Sequence, residues 1–483
     1  MVFFLWYGFA IERNKKRMVF QTRKQKKKMK GKGECRWGKP RKVFSLWKAL
    51  VASVFSMSPA AHAHPPDCGV PRADGPAVPT AAMQVQLDAL SARVRRLEAE
   101  RDARASPGAT PTPAGPGAAA TPTPAATPFV LGGYAEVFYE WNFNKPSNGI
   151  TNFRGFDNRH NTFTLSNVAL DASWDLVGLI GRVTLQVGHT PSTYYLGEAS
   201  LPGASGANAT GPELWKYVQQ AYVGYRFGLG RGLTVTAGLF LSPIGPESMA
   251  VKDNWNWSRS NLFFGLPFYH TGVRATYALS DEWAVTLAGY NGWNSVGDHN
   301  DGKSVSAQVT FTRANVIASI LYFGGVERPH GTPEGQPWRH LADAHLMWHA
   351  TPWLSLLAHA NGGFEQNEFG QSAWGAGALY ARFRIIEPLF FAVRGDIFYE
   401  HVAENASGRA APIFWPAPWV SSGTATVDYR PHERLSFRIE YRHDHAGADL
   451  YFGGNVAGDG SATPFVTNRA SQDTVMIGAT TWF

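Results

Sequence analysis

Two cysteines in 483 residues, Cys35 and Cys68, are too few for a disulfide-built scaffold. Charge is also scarce: Asp, Glu, Lys and Arg make up 17% of the chain and aromatic residues 13%, which excludes a disordered chain and a coiled-coil rod. No run of about 18 uncharged apolar residues follows the first 60 positions, so no bilayer-spanning helix is encoded there. A GxSxG elbow, an HExxH pair, a phosphate-cradling GxxxxGK[ST] and a CxxC pair are all missing. An enzyme, for instance a lipase or protease, would have to assemble its nucleophile and base without a motif, and no cofactor is expected.

The formal net charge of +8 is unevenly placed. The first 63 residues hold 16 Lys and Arg against 2 acids, a net +14, and leave −6 for everything after Ala63. A basic block confined to the N-terminus is a targeting feature and not a nucleic-acid-binding face. Lys39, Arg41, Lys42 and Lys48 lead into the apolar stretch Ala49 to Met57, then Pro59 and the triplet Ala61, His62, Ala63, the order of a secretory signal peptide cleaved after Ala63. The residues ahead of it exceed what a signal needs, which makes Met18 or Met29 the expected start and leaves Cys68 alone in the mature chain.

After a short linker (64–82), Met83, Leu87, Leu90, Val94 and Leu97 alternate steps of four and three within 83–104, the spacing of a short coiled coil. Residues 105–128 are almost entirely Ala, Pro, Thr and Gly and read as an extended linker. From Phe129 to Phe483 the dominant signal is period-two alternation in pieces of about ten residues, the pattern of tilted strands crossing an outer membrane. Leu435, Phe437, Ile439 and Tyr441 against Ser436, Arg438, Glu440 and Arg442 is one of the clearest cases.

The expected fold is all-β: a transmembrane antiparallel barrel of about 16 strands, preceded by the helical coiled-coil segment. Strands are expected to begin near residues 130, 161, 179, 214, 232, 268, 282, 303, 315, 339, 353, 373, 388, 419, 434 and 472. Short turns follow even strands and most long connections follow odd ones, as in a barrel with periplasmic turns and external loops. Aromatics such as Tyr139, Trp141, Tyr225, Phe227, Tyr277, Trp283, Trp353 and Tyr399 fall near strand ends, where interfacial girdles belong. The alternation ending in Phe483 resembles the C-terminal barrel-insertion signal, which implies barrel-assembly machinery and outer-membrane lipid as partners.

Four segments, LFLSPIGPE (239–247), KDNWNWSRS (252–260), GYNGWN (289–294) and YRHD (441–444), resemble the OmpL-like β-barrel porins of bacterial outer membranes. The resemblance spans Phe129 to Phe483 and implies passive diffusion of small hydrophilic solutes or ions, with no catalytic motif to transfer. Together with the heptads it implies a homo-oligomer, a trimer in the first instance, with the coiled coil in the periplasm. In 16-stranded porins the third external loop folds inward, so the connection 243–267 is the expected constriction, carrying Glu247, Lys252, Asp253, Trp255, Trp257 and Arg259. Two Trp with Leu262, Phe263 and Phe264 would be costly to leave in water.

If the greasy faces meet lipid, alternation turns Glu136, Glu140, Asp171, Arg182, Arg226, Arg274, Asp343, Arg382, Arg394, Asp396, Asp428, Arg438, Glu440 and Arg442 inward as pore-lining residues. Arg382, Arg394, Arg438 and Arg442 either form a basic ladder that biases ion passage or pair with Asp396, Asp428 and Glu440. Asp343, His345, His349 and His359 share a neighbourhood that could hold a metal, but with 15 His in the chain chance clustering is the preferred reading, and no metal is expected. Two rivals to a general diffusion pore remain: a sugar- or anion-preferring channel, and a plugged barrel tethering the envelope through its coiled coil.

Overall fold

The computed structural model describes residues 129–198 and 211–483. The signal cleavage at Ala63, the coiled coil and the Pro-rich linker lie outside the described residues. Sixteen strands close into one antiparallel barrel in which every strand pairs with its sequence neighbours. They are β1 Phe129–Asn142, β2 Thr162–Leu176, β3 Leu179–Val187, β4 Val218–Phe227, β5 Leu233–Leu241, β6 Tyr269–Ala278, β7 Trp283–Tyr290 and β8 Ser304–Arg313 in the first half. The second half comprises β9 Val316–Val326, β10 Trp338–Thr351, β11 Leu354–Asn367, β12 Gly370–Ile386, β13 Leu389–His401, β14 Trp419–His432, β15 Leu435–Ala446 and β16 Ser471–Trp482. A two-residue hairpin, Ala403–Glu404 with Ala410–Ala411, stands outside the barrel.

The barrel closes because β1 pairs with β16, from Tyr134 opposite Trp482 to Asn142 opposite Thr474. Phe483 extends that seam: its N–H donates to the Gly133 carbonyl (3.1 Å). Closure leaves no strand edge, the condition for a sheet in a medium that offers its backbone no hydrogen bonds. The inside-out alternation is plain in β15, where Phe437, Ile439 and Tyr441 are exposed outward while Ser436, Arg438, Glu440 and Arg442 are buried within.

Turns at one end are tight. Val177 (φ 55°) and Gly178 (φ 95°) link β2 to β3 in the left-handed region that matches the twist of a two-residue hairpin, and Asp175 accepts from the Gly178 N–H (3.1 Å). Connections at the other end are long, except at 368–369, where β11 turns directly into β12. The expected start of β4 at 214 moves to Val218, because Pro212–Trp215 forms a helical turn that begins on a proline preset for it. Outward aromatics band the tight-turn end, among them Tyr225 on Phe227 (5.0 Å between ring centroids) and Trp283 on Phe311 (4.8 Å).

Leu379, 70% exposed on the outer face, pairs across mid-strand with Ala358 and Gly395. Leu379→Arg should therefore destabilise the folded barrel in lipid by about 2–4 kcal/mol, read as a lowered denaturant midpoint for refolding into bilayers. An unchanged midpoint would place this face away from hydrocarbon.

Candidate pore and its constriction

The connection between β5 and β6 (242–268) turns into the barrel and crosses to the opposite wall. Irregular backbone enclosed by a barrel loses its water, and each of its N–H and C=O groups then needs a protein partner. The wall supplies them from charged side chains. Glu136 on β1 accepts from the Val251 N–H (2.6 Å). Glu440 on β15 accepts from the Trp257 and Ser258 N–H groups (2.6 and 2.9 Å) and the Thr426 hydroxyl (2.7 Å). Asp396 on β13 takes the Asn261 N–H (3.2 Å), and Asp343 on β10 takes that of Gly245 (3.2 Å).

Guanidinium groups satisfy the carbonyls in the same way. Arg394 donates to the Ser258 and Arg259 carbonyls (2.6 and 3.2 Å), Arg438 to those of Asn254 and Asn256 (2.9 and 3.1 Å), and Arg442 to that of Arg259 (2.5 Å). The sequence left two readings open for these three, rungs of a basic ladder or partners of Asp396, Asp428 and Glu440, and two such pairs are present, Arg394 with Asp396 (3.3 Å) and Arg438 with Asp428 (3.5 Å). All three are buried beneath the loop, because its carbonyls need donors there; of the four ladder candidates, only Arg382 keeps part of its surface free.

Of the loop residues singled out, Glu247 accepts from the Ser260 N–H (3.0 Å) and pairs with Arg394 (3.3 Å). Trp257 is buried against Phe138 (6.0 Å between centroids), over Gly478, where a Cβ would stand 2.4 Å from the indole ring. Trp255 meets Tyr380 edge-on (6.5 Å). Arg259 turns back on its own loop, donating to the Trp257 carbonyl (2.7 Å) and to that of Met249. Only Lys252 and Asp253, paired at 2.8 Å with side chains 27% and 50% exposed, present charge to the lumen.

On the facing wall Asp171, Arg182, Tyr222 and Arg274 stay half-buried among buried neighbours such as Thr184, Gln220 and Thr236. Asp171 accepts from Arg182 (2.7 Å). Arg274 donates to the Thr236 hydroxyl (3.0 Å) and lies over Phe240 (4.3 Å) and Tyr222 (5.3 Å), with no carboxylate partner among the described residues. Arg226 pairs with Asp175 (2.9 Å), exposed at the tight-turn end. Glu140 instead serves the first long connection, accepting from the Thr151 hydroxyl (2.5 Å) beside Arg154 (3.7 Å). Among the described residues no group of three His, Cys, Asp or Glu is placed to hold a metal: His359 Nε2 donates to Asp343 Oδ2 (2.7 Å), whereas His349 bonds Ser355 (2.8 Å).

Toward the long-connection end the interior turns apolar. Phe240, Ile244, Leu266, Trp293, Phe323, Trp374, Phe398, Trp415 and Tyr451 form one buried cluster, and Phe156 joins Phe263 and Tyr194 in another. Two carboxylates that sequence reasoning passed over hold this region. Glu400 accepts from the Ile413 and Trp415 N–H groups (2.6 and 2.8 Å), and Glu327 from the Trp293 N–H (2.7 Å) and the Ser304 hydroxyl (2.6 Å). Their signal was an acid at the far end of a strand, Glu400 on the inward parity.

Glu440→Ala would leave the Trp257 and Ser258 N–H groups without an acceptor, at about 1–3 kcal/mol each. The loop should then fluctuate, visible as faster proteolysis within 248–261 and added open-channel noise; unaltered cleavage would show that the other anchors suffice. Burial pushes the Glu327 carboxyl from 4.5 up to about 7. Its protonated form is thus the favoured one in the folded protein, and this contribution is fully present below about pH 4.5 and lost as pH rises through about 7. Thermal unfolding should fall over that window in the native chain and flatten in Glu327→Gln, whereas equal slopes would refute the assignment.

Residues 128–483 match the family described as "Putative beta-barrel porin-2, OmpL-like". No curated protein matches the chain. Among solved structures, similar folds include an anion-selective porin from Comamonas acidovorans (12% identity, 74% of this chain and 99% of that one, TM-score 0.46). Two others are the outer membrane channel DcaP of Acinetobacter baumannii (12%, 74% and 97%, 0.46) and OmpT of Vibrio cholerae (10%, 74% and 97%, 0.45).

Proposed function

The chain belongs to the OmpL-like β-barrel porin family, and from that premise we propose that it conducts small hydrophilic solutes and ions passively across the outer membrane along one side of its lumen. The observation that carries this reading is the asymmetry of the interior. The inward loop is bonded to β1 and to the wall from β10 to β15, while Asp171, Arg182, Tyr222 and Arg274 on β2 to β6 stay half-buried on the other side. Lys252 and Asp253 are the loop's charges at the constriction, and Asp171, Arg182 and Arg274 line the passage. The reading assigns conduction and no catalytic step. The coiled coil would lie in the periplasm, and the pore would assemble as a homo-oligomer, a trimer in the first instance.

A plugged barrel is the second reading, and the aromatic cluster at the long-connection end favours it. One measurement separates the two: single-channel conductance of refolded residues 64–483 in a planar bilayer. Stable steps, in threes for a trimer, that enlarge when residues 248–261 are removed support a loop-narrowed pore. A folded, silent barrel, with or without that segment, supports the plug.

A further inference from the structure

Beneath the constriction, at the tight-turn end of the lumen, three guanidinium groups converge on one carboxylate oxygen. Asp428 Oδ2 lies 2.8 Å from Arg430 Nε, 3.5 Å from Arg438 Nη2 and 3.9 Å from Arg382 Nη2. Its other oxygen accepts from the Ser436 hydroxyl (2.6 Å), and its single negative charge is shared among the three guanidinium groups. Arg438 is buried and committed to the loop carbonyls of Asn254 and Asn256. Glu440 and Glu136 also act on Arg438, so Asp428 is left as the one carboxylate shared by the other two, Arg382 and Arg430.

Those two groups can be reached. The side chains of Arg382 and Arg430 are 21% and 23% exposed. Both lie over the ring of Phe390, at 4.1 and 5.7 Å from its centroid, and Arg430 also approaches Trp482 (5.9 Å). Among the described residues Arg382 donates no hydrogen bond at all; its contacts are the long approach to Asp428 and the Phe390 face. A guanidinium held over an aromatic ring, with its fork of donors unused, is shaped to take a planar or tetrahedral oxyanion through two N–H groups.

We infer that this corner is a binding site for small solutes bearing a carboxylate or phosphate, held by Arg382 and Arg430 and positioned by Phe390. The inference deepens the reading of the chain as a channel and rests on it. The adjoining cavity between the loop and Met347, Leu357 and Tyr380 measures about 20 Å³, room for about one water and for nothing larger. Solute therefore cannot pass straight up that wall, and the site is a well at the inner mouth. It raises the local anion concentration beside the open half of the lumen.

The test pairs equilibrium binding with conduction. Calorimetric titration of the detergent-folded protein with inorganic phosphate, and separately with succinate, should show binding of both. Loss of a charge-assisted contact weakens binding about tenfold or more, the effect expected for Arg382→Gln, and Arg382→Gln with Arg430→Gln together should abolish it. Arg382→Lys should keep the charge but lose succinate more than phosphate, since the fork is gone. In a KCl gradient the double variant should shift the reversal potential toward potassium, while Arg231→Gln, at an exposed turn, should not. Unchanged phosphate and succinate affinity in a folded double variant would overturn the site, as would a conducting native protein that binds neither. A native protein that binds both but never conducts would retain the site and remove the channel reading.

Discussion

The constraint that organises this molecule is the hydrogen-bonding demand of a non-regular backbone placed inside a closed sheet. A 16-stranded barrel satisfies its own ladder completely and so has no spare backbone groups to offer a loop that enters it. The loop between β5 and β6 therefore depends on side chains. Acids at Glu136, Asp343, Asp396 and Glu440 meet its N–H groups, and Arg394, Arg438 and Arg442 meet its carbonyls. Charge is buried here because it is hydrogen-bonded at both signs, the condition under which burial is tolerated. The same device recurs at smaller scale where Glu400 and Glu327 hold the outer connections.

This demand breaks the symmetry of the barrel. Anchoring residues concentrate on β10 to β15 and on β1, so the loop lies there, and the wall from β2 to β6 is left with polar side chains that have small or partial partners. Apolar residues of the loop follow the geometry set by those bonds: with Trp257 fixed by the Glu440 carboxylate through its N–H, its ring falls on Phe138 and over Gly478. Ser260 caps the short helix Asn261–Phe264 by accepting from the Phe263 N–H (3.3 Å), which turns Leu262 and Phe263 into the cores that close the space above.

The strands were legible in the sequence because period-two alternation against lipid is a strict pattern: one residue of slippage would turn Arg438 and Glu440 onto the lipid face. Starts at 179, 303 and 419 accordingly fall within a residue of the observed ones. The start near 214 was displaced because Pro212–Trp215 forms a local turn that alternation does not report. The inward parity of Arg394 and Arg442 was legible too, and Asp396 was among the partners considered for Arg394 (3.3 Å), but the loop carbonyls to which both donate were not. Parity states which side of a sheet a residue faces and carries no information on whether water or another segment waits there. The loop that covers them was reached through family resemblance, and its carbonyls at 254, 256, 258 and 259 have no sequence signature.

On the reading of the chain as a channel, ion preference would follow from what the loop leaves over and not from net charge. Several of the carboxylates behind the −6 carried after Ala63 are spent on backbone N–H groups, among them Glu136, Glu440, Glu400 and Glu327. Subtracting those, the interior retains Arg274, without a carboxylate among the described residues, and Arg382 with Arg430 sharing one that Arg438 already uses. Opposing them are Asp171, held by Arg182, and Asp253, held by Lys252. Fixed charge acts on a passing ion in proportion to its proximity and to the weakness of screening between them. On the channel reading, guanidinium groups that face the passage would therefore act on a passing ion at closer range than carboxylates already committed to the N–H groups of the loops.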